Sequence, residues 1–166
     1  MIRIALLLFA AVGAASAQVK VAIINTQQAV GETADIKKAQ GEMEAKFKPR
    51  QAEAEKLQKE IADLQNQLQT GQGKLTPQAE QNIQAQGQRR QRELQRITED
   101  LQADVDRERN EILQRVGGRM QTVVQKMAEE RGLDVVIDVS NTVYFKPALD
   151  ITKEATAAYD KAFPPK

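Results

Sequence analysis

The chain has 166 residues, 28% of them charged and only 4% aromatic, with no Cys, no His and no Trp. That length allows one modest domain, and the inventory excludes disulfides, thiolate or imidazole metal sites, and cysteine or histidine catalysis. A formal net charge of +1 argues against a generally basic nucleic-acid binder, and the composition suits long polar helices that bury a narrow apolar stripe.

Residues 1–17, "MIRIALLLFAAVGAASA", place Arg3 before an apolar run, Ile4 to Val12, and end on the small-x-small pattern Ala15-Ser16-Ala17. This predicts a secretory signal peptide with Gln18 as the first mature residue. The competing reading is an uncleaved anchor, but the run is short for a bilayer. Arg3 is the only charged side chain in the segment, so the remainder carries 23 basic and 23 acidic side chains and is formally neutral. Residues 18–34 are assigned to a head, with a strand at "VKVAIIN" that places Val19, Val21 and Ile23 on one face. "TQQAVGET" then holds a short helix or turn.

Residues 35–111 are predicted to form a helical hairpin with its tip near 70–77. Phe47, Ala54, Ile61 and Leu68 recur every seven residues, with Leu57 and Leu64 at the alternate seam position. Arg50 interrupts the seam, and Pro49 should kink or break the helix. Gly71 and Gly73 stop it, and Thr76-Pro77 supply an N-cap and first turn for the next helix. That second helix runs from about Gln78 to Arg131, where Gly132 offers a stop. Leu94, Val105, Val116 and Met127 recur every eleven residues, the period of a nearly straight helix. Folding about residues 73 and 74 sets Leu64 near Ile83, Phe47 near Leu101 and Met43 near Val105. The second helix would span roughly 80 Å against roughly 50 Å for the first, which leaves its apolar end, Ile112 to Met127, to be covered by something else.

Residues 112–166 would complete the head. Leu133, Val135, Ile137 and Val139 alternate with Asp134 and Asp138, Ser140-Asn141 suggests a two-residue turn, and Val143 to Phe145 would be the return strand of a β-hairpin. Asp150 is a plausible N-cap for a last helix. The fold class is α+β: a small sheet of Val19–Asn25 with the hairpin strands, and a long antiparallel helical hairpin inserted between strand 1 and strands 2 and 3. The expected head and oligomer core comprises Val21, Ile23, Val116, Val123 and Met127, together with Val135, Ile137, Val139, Val143 and Phe145. So small a sheet suggests that copies cover one another's apolar strands and the Ile112 to Met127 surface.

The order of signal peptide, "VAIIN", charged helical hairpin, "LDVVIDVSNTVYF" and "DIT" resembles the Skp (OmpH) family of periplasmic chaperones, with the two strand motifs and "DIT" as the specific part. The resemblance implies a homotrimer whose strands form a barrel-like body. Three helical arms would surround a cavity that holds unfolded outer-membrane β-barrel proteins in the periplasm, without ATP or cofactor. Family members are often clearly basic, and this chain departs from that. Even so, from Leu64 to Thr98 five bases (Lys74, Arg89, Arg90, Arg92 and Arg96) face two acids, Glu80 and Glu93, a local charge of +3. A basic cluster on the family's arms is thought to contact lipopolysaccharide. Lys74, Arg89, Arg90 and Arg92 are the candidates here, for lipopolysaccharide or another anionic membrane surface, and a solvated helix flank is the alternative.

"GQGKLT" lacks the full phosphate-loop spacing and a preceding strand, so no nucleotide site is read there. The helical carboxylates sit beside Lys or Arg, so no catalytic pair is read either. Met43, Phe47 and Met120 are candidate client contacts, because soft or large side chains suit promiscuous binding. Pro49, Gly87 and Gly117-Gly118 are either weak points or sites of close helix packing. The function expected is an ATP-independent holdase for unfolded outer-membrane proteins. The alternative is a structural or adaptor envelope protein using the same arms to bind a folded partner.

Overall fold

The computed structural model describes residues 19–165, so the signal-peptide reading of residues 1–17 and the placement of the mature start at Gln18 lie outside the described residues. In chain order the elements are β1 (Val21–Ile24), α1 (Thr26–Gly31), α2 (Ala34–Thr70), α3 (Pro77–Arg131), β2 (Val135–Asp138) and α4 (Thr152–Ala162).

Local chemistry sets the helix ends. Asn25, Thr33 and Thr76 each accept a backbone N–H from the first turn of α1, α2 and α3, and Pro77 opens α3 where no N–H is needed. Gly132 ends α3 at φ +61°, in the left-handed region. Its N–H and that of Leu133 return to the carbonyls of Glu129 and Ala128, a Schellman stop. At the tip, Gly73 takes φ +74°, and Leu75 folds so closely over Gly71 that a Cβ there would meet it at 2.5 Å.

Helices α2 and α3 pack antiparallel. Going up α2, Lys46 pairs with Glu108, Arg50 with Asp104 and Glu60 with Arg90, so the partners descend along α3. Phe47 lies among Asp104, Arg107 and Glu108, and Met43 among Arg109, Ile112 and Leu113. That is between one and two turns nearer the head than a fold about residues 73 and 74 predicts. Arg50 interrupts the apolar seam because its partner there is Asp104. In the outer part of the hairpin Leu57 and Ile97 are buried, and the other seam residues (Ala54, Ile61, Leu64, Leu68, Leu94) are half-buried.

Pro49 does not end α2, which runs through it without interruption. Pro49 and Ala45 are both exposed, so the carbonyl that loses its N–H partner can turn to water. Gly117 and Gly118 likewise sit inside a continuous α3. A Cβ at either, or at Gly87, would meet nothing within 4 Å, so close packing within the chain is not what these glycines serve.

The sheet corrects the expected β-hairpin. β1 and β2 pair in parallel, Val21 with Val135 through Ile24 with Asp138, and α1, α2 and α3 all lie between them in sequence. Residues 139–141 form a 3₁₀ turn instead of a hairpin turn, and no strand follows at Val143 to Phe145. Asp138 causes this. Its carboxylate accepts the N–H and the hydroxyl of Ser140, its carbonyl accepts the Thr142 hydroxyl, and the chain is turned away from the sheet. A tight hairpin turn would need positive φ, and among the described residues no non-glycine residue adopts it. The other edge of β1 is met by the "DIT" segment: Ile151 N–H donates to the Ile23 carbonyl, and Ile23 bridges Asp150.

The head core lies on one face of this sheet. Ala22 and Ile24 join Ala29, Val30 and Ile36, the α3 residues Val116, Met120, Val123 and Met127, and Ile151, Ala155 and Tyr159, with Val136 against them. The apolar end of α3 is therefore covered by α4 and α1 of its own chain. Val116, Val123 and Met127 are core residues. Val21, Ile23, Val135 and Ile137 point to the opposite face, since alternation follows Ala22, Ile24 and Val136 into the core. Val139 and Phe145 are half-buried and outside this core, and Val143 is fully exposed.

Candidate functional site

The root of the helical hairpin is where sequence-distant polar groups converge. Asp35, in the first turn of α2, accepts Arg115 at 3.3 Å, Arg119 at 3.2 Å and the Tyr159 hydroxyl at 2.9 Å. One residue earlier, Ala34 N–H donates to Asp160. The Arg119 guanidinium also stacks 5.0 Å from the Phe163 ring centroid. The start of α2 is thus joined to α3 and α4 together. Tyr159 is 0% exposed, and burial, followed by its bond to Asp35, holds its phenol above the ordinary tyrosine pKa.

A second junction joins the sheet to α1 and α4. Asp138 accepts Ser140 and the Thr26 N–H, and these bonds, the Ser140 hydroxyl foremost, hold its carboxyl well below the usual carboxylate range. Asp150, two residues before the start of α4, accepts the Thr152 hydroxyl and N–H, which also lowers its pKa. The Thr152 hydroxyl in turn accepts the Asn25 N–H. "DIT" therefore serves as a three-way joint between β1, α1 and α4.

Beside the hairpin root, α1, α2 and α3 enclose an open groove of about 530 Å³. Ile36 and Met43 of α2, and Ile112 and Leu113 of α3, form its walls, while Gly31 and Gly117 leave its floor bare of side chains. Arg109 is the one charged residue in the lining.

The predicted client contacts separate on this geometry. Met43 lines the groove and is half-buried. Met120 is 0% exposed in the head core, which corrects its assignment as a cavity-facing residue. Phe47 is also buried, closed between the helices with Lys46 over its ring. Both were chosen for side-chain type, and their burial follows from the hairpin register and from the cover by α4.

The predicted anionic-surface residues separate as well. Lys74 lies in the tip turn and Arg89 fifteen residues on, about 18 Å along α3 from its start. Arg90 is engaged by Glu60 and Glu93, whereas Arg89 and Arg92 are exposed. The ion-pair knot at Asp35 and the groove were not read from the sequence; the apolar residues at i, i+3 and i+7 along "IKKAQGEM" (Ile36, Ala39 and Met43) were the available signal for the groove.

Among the described residues no group of His, Cys, Asp or Glu could hold a metal ion. The architecture defines a class: a small sheet-and-helix head carrying a long antiparallel helical hairpin between its two strands. The family model described as "Outer membrane protein (OmpH-like)" matches residues 20–159, and the chain belongs to this family. It is 27% identical over 136 residues to the chaperone protein Skp of Salmonella typhimurium strain LT2, covering 81% of this chain and 82% of that one. It is 24% identical over 140 residues to a Skp-like protein of Pseudomonas aeruginosa PAO1, covering 84% and 83%. A crystal structure of an OmpH-like protein from Caulobacter crescentus CB15 superposes with TM-score 0.73 at 21% identity, over 90% of this chain and 89% of that one, a likeness of fold. The family is one of chaperones and not of enzymes.

Proposed function

We propose that this protein is an ATP-independent holdase of the periplasm, which binds unfolded outer-membrane β-barrel proteins between helical arms and prevents their aggregation. Family membership across residues 20–159 carries this reading. The physical logic agrees with it. A long hairpin with a thin apolar seam offers many weak contacts, and shielding exposed apolar surface needs no nucleotide when the client leaves for a site that binds it better.

The working form would be a homotrimer with a barrel-like head. Three features of the single chain support association. On the face of the sheet opposite the core, Val135 is exposed and Val21 and Ile137 are half-buried, while Ile23 is already covered. Among the described residues β2 pairs with a strand on one edge only, and its outer edge is a template for pairing. Val143 and Tyr144 are strongly exposed. A second copy would cover all three.

The test is light scattering after dilution of a urea-unfolded outer-membrane β-barrel into buffer, with and without the mature chain, alongside native mass measurement. Suppressed scattering near one trimer per client is expected. Scattering identical to buffer alone would remove the reading and leave a folded envelope partner to be sought. For anionic surfaces, including lipopolysaccharide, Arg89 and Arg92 are the better candidates and Arg90 the weaker, because Glu60 and Glu93 already neutralise it. Replacing Arg89 and Arg92 by Ala should lower salt-sensitive binding to anionic vesicles more than Arg90→Ala does.

A further inference from the structure

We infer that the groove at the hairpin root receives an apolar stretch of an unfolded chain that carries a carboxylate at its flank, with Arg109 meeting that carboxylate. The inference rests on the holdase reading and adds to it a place and a chemical preference.

Two other clefts near the root are lined by charges of both signs. One holds Asp35, Lys38, Glu42, Arg115 and Arg119, and the other holds Lys126, Glu130, Arg131, Glu154 and Lys161. The groove differs: its lining has no acid and a single cation. Its α3 wall is Arg109, Ile112, Leu113 and Gly117, residues spaced to share one helix face, and its α2 wall is Ile36, Ala39, Gln40 and Met43 with the same spacing. Leu113 is 41% exposed, so this apolar wall is open to an incoming chain.

The cation is available. Along α3, Arg107 is held by Asp104, and Arg115 and Arg119 by Asp35. Arg109 is exposed and has no ion-pair partner among the described residues. An arginine at the rim of an apolar groove selects an acidic neighbour for the apolar occupant, by attraction at the rim and without burial of the charge.

The glycines add a second argument. Gly31 and Gly117 both line the groove, neither has positive φ, and a Cβ on either would meet nothing within 4 Å. Gly31 is the last residue of α1, but Gly117 is inside α3, where glycine weakens a helix, and among the described residues no packing requires it there. The space it keeps is space for an occupant, allowing close approach to the α3 backbone. A second copy of this chain fits less well. Its exposed apolar segment, Val143-Tyr144, is followed by Lys146, which would set cation against cation at Arg109.

The test uses the intact oligomer and two fluorescein-labelled eight-residue peptides of alternating Leu and Ser, one ending its apolar stretch with Glu and the other with Gln, read by anisotropy. The Glu peptide should bind about threefold more tightly at low salt. Arg109→Gln should erase that preference and leave the Gln peptide unchanged. Gly117→Leu, which fills the groove, should weaken both by about tenfold. Leu113→Ser, at an exposed position, should weaken both as well and guards against a folding defect in the glycine variant. Equal affinity for the two peptides, or unchanged binding to both groove variants, would overturn the assignment, as would a change in oligomer mass on Gly117→Leu. Failure of the wild-type chain to suppress aggregation would instead sink the holdase reading; suppression without any acid preference would sink the groove alone.

Discussion

Replacing Tyr159 by Phe removes one oxygen from the most connected point of the hairpin root. The ring keeps its packing, including the tilted contact with Phe163 at 5.2 Å between centroids. What is lost is a 2.9 Å bond to the Asp35 carboxylate. A hydrogen bond to a charged acceptor contributes about 1.5–3 kcal/mol when buried. Asp35 keeps Arg115 and Arg119 and is 16% exposed in its side chain, so some water replaces the hydroxyl and the lower end, about 1.5 kcal/mol, is expected. The assay is urea unfolding at one fixed protein concentration, since association would shift the midpoint. The difference should also depend on pH. Tyr159 is held above the ordinary tyrosine value of about 10, so its contribution is complete below that pH and lost as pH rises from there through the folded value. A loss below about 0.5 kcal/mol, or one that persists unchanged well above pH 10, would refute the tether.

Met120→Ala should cost about 3 kcal/mol in the same urea assay, because it empties a fully buried core position; an effect on client retention without loss of stability would restore it as a client contact. Pro49→Ala should stabilise the hairpin by about 1–3 kcal/mol by restoring an N–H to an exposed helix interior, read as a higher urea midpoint; a lower midpoint would mean the proline sets a helix geometry the fold requires. Acid should loosen the head through Asp138 and Asp150, whose folded pKa values are lowered: their contribution is present above the ordinary carboxylate value of about 4 and fades as pH falls below it, and Asp138→Asn should flatten that slope in circular dichroism titrations.

The helix ends could be read from the sequence because capping is local chemistry: Thr76-Pro77 and Gly132 act within a few residues of themselves. The partnership of "VAIIN" with "LDVVID" was legible from alternation and from the weakness of any strand pair left alone. Its parallel sense was not, because that follows from how the three intervening helices return the chain; nor was the missing third strand, because Asp138 caps the turn that alternation marks as a hairpin. Alternation also left open which face of the sheet meets the core. Ala22 and Ile24 fit beneath the helices, and Ile23, on the other face, is buried as well, where the "DIT" segment meets β1. The knot at Asp35 joins residues up to 124 apart in sequence, and no periodicity announces such a meeting. Arg50 had a local sign, a charge in an apolar seam, though its partner Asp104 emerges only from the register.

The parallel pairing of β1 with β2 has a consequence for the order of assembly. Lys20, just before β1, bonds the side chain of Asp134 across 114 residues of chain. A chain that crosses a membrane N-terminus first, as the periplasmic reading requires, would expose its first strand well before the partner strand emerges. The helical hairpin needs only its own turn to close, so it can form while that strand is still unpaired. The head then closes around elements already built, and its high contact order makes it the slow step. A protein expected to shelter unfinished chains would itself carry an unpaired apolar strand until its last residues arrive.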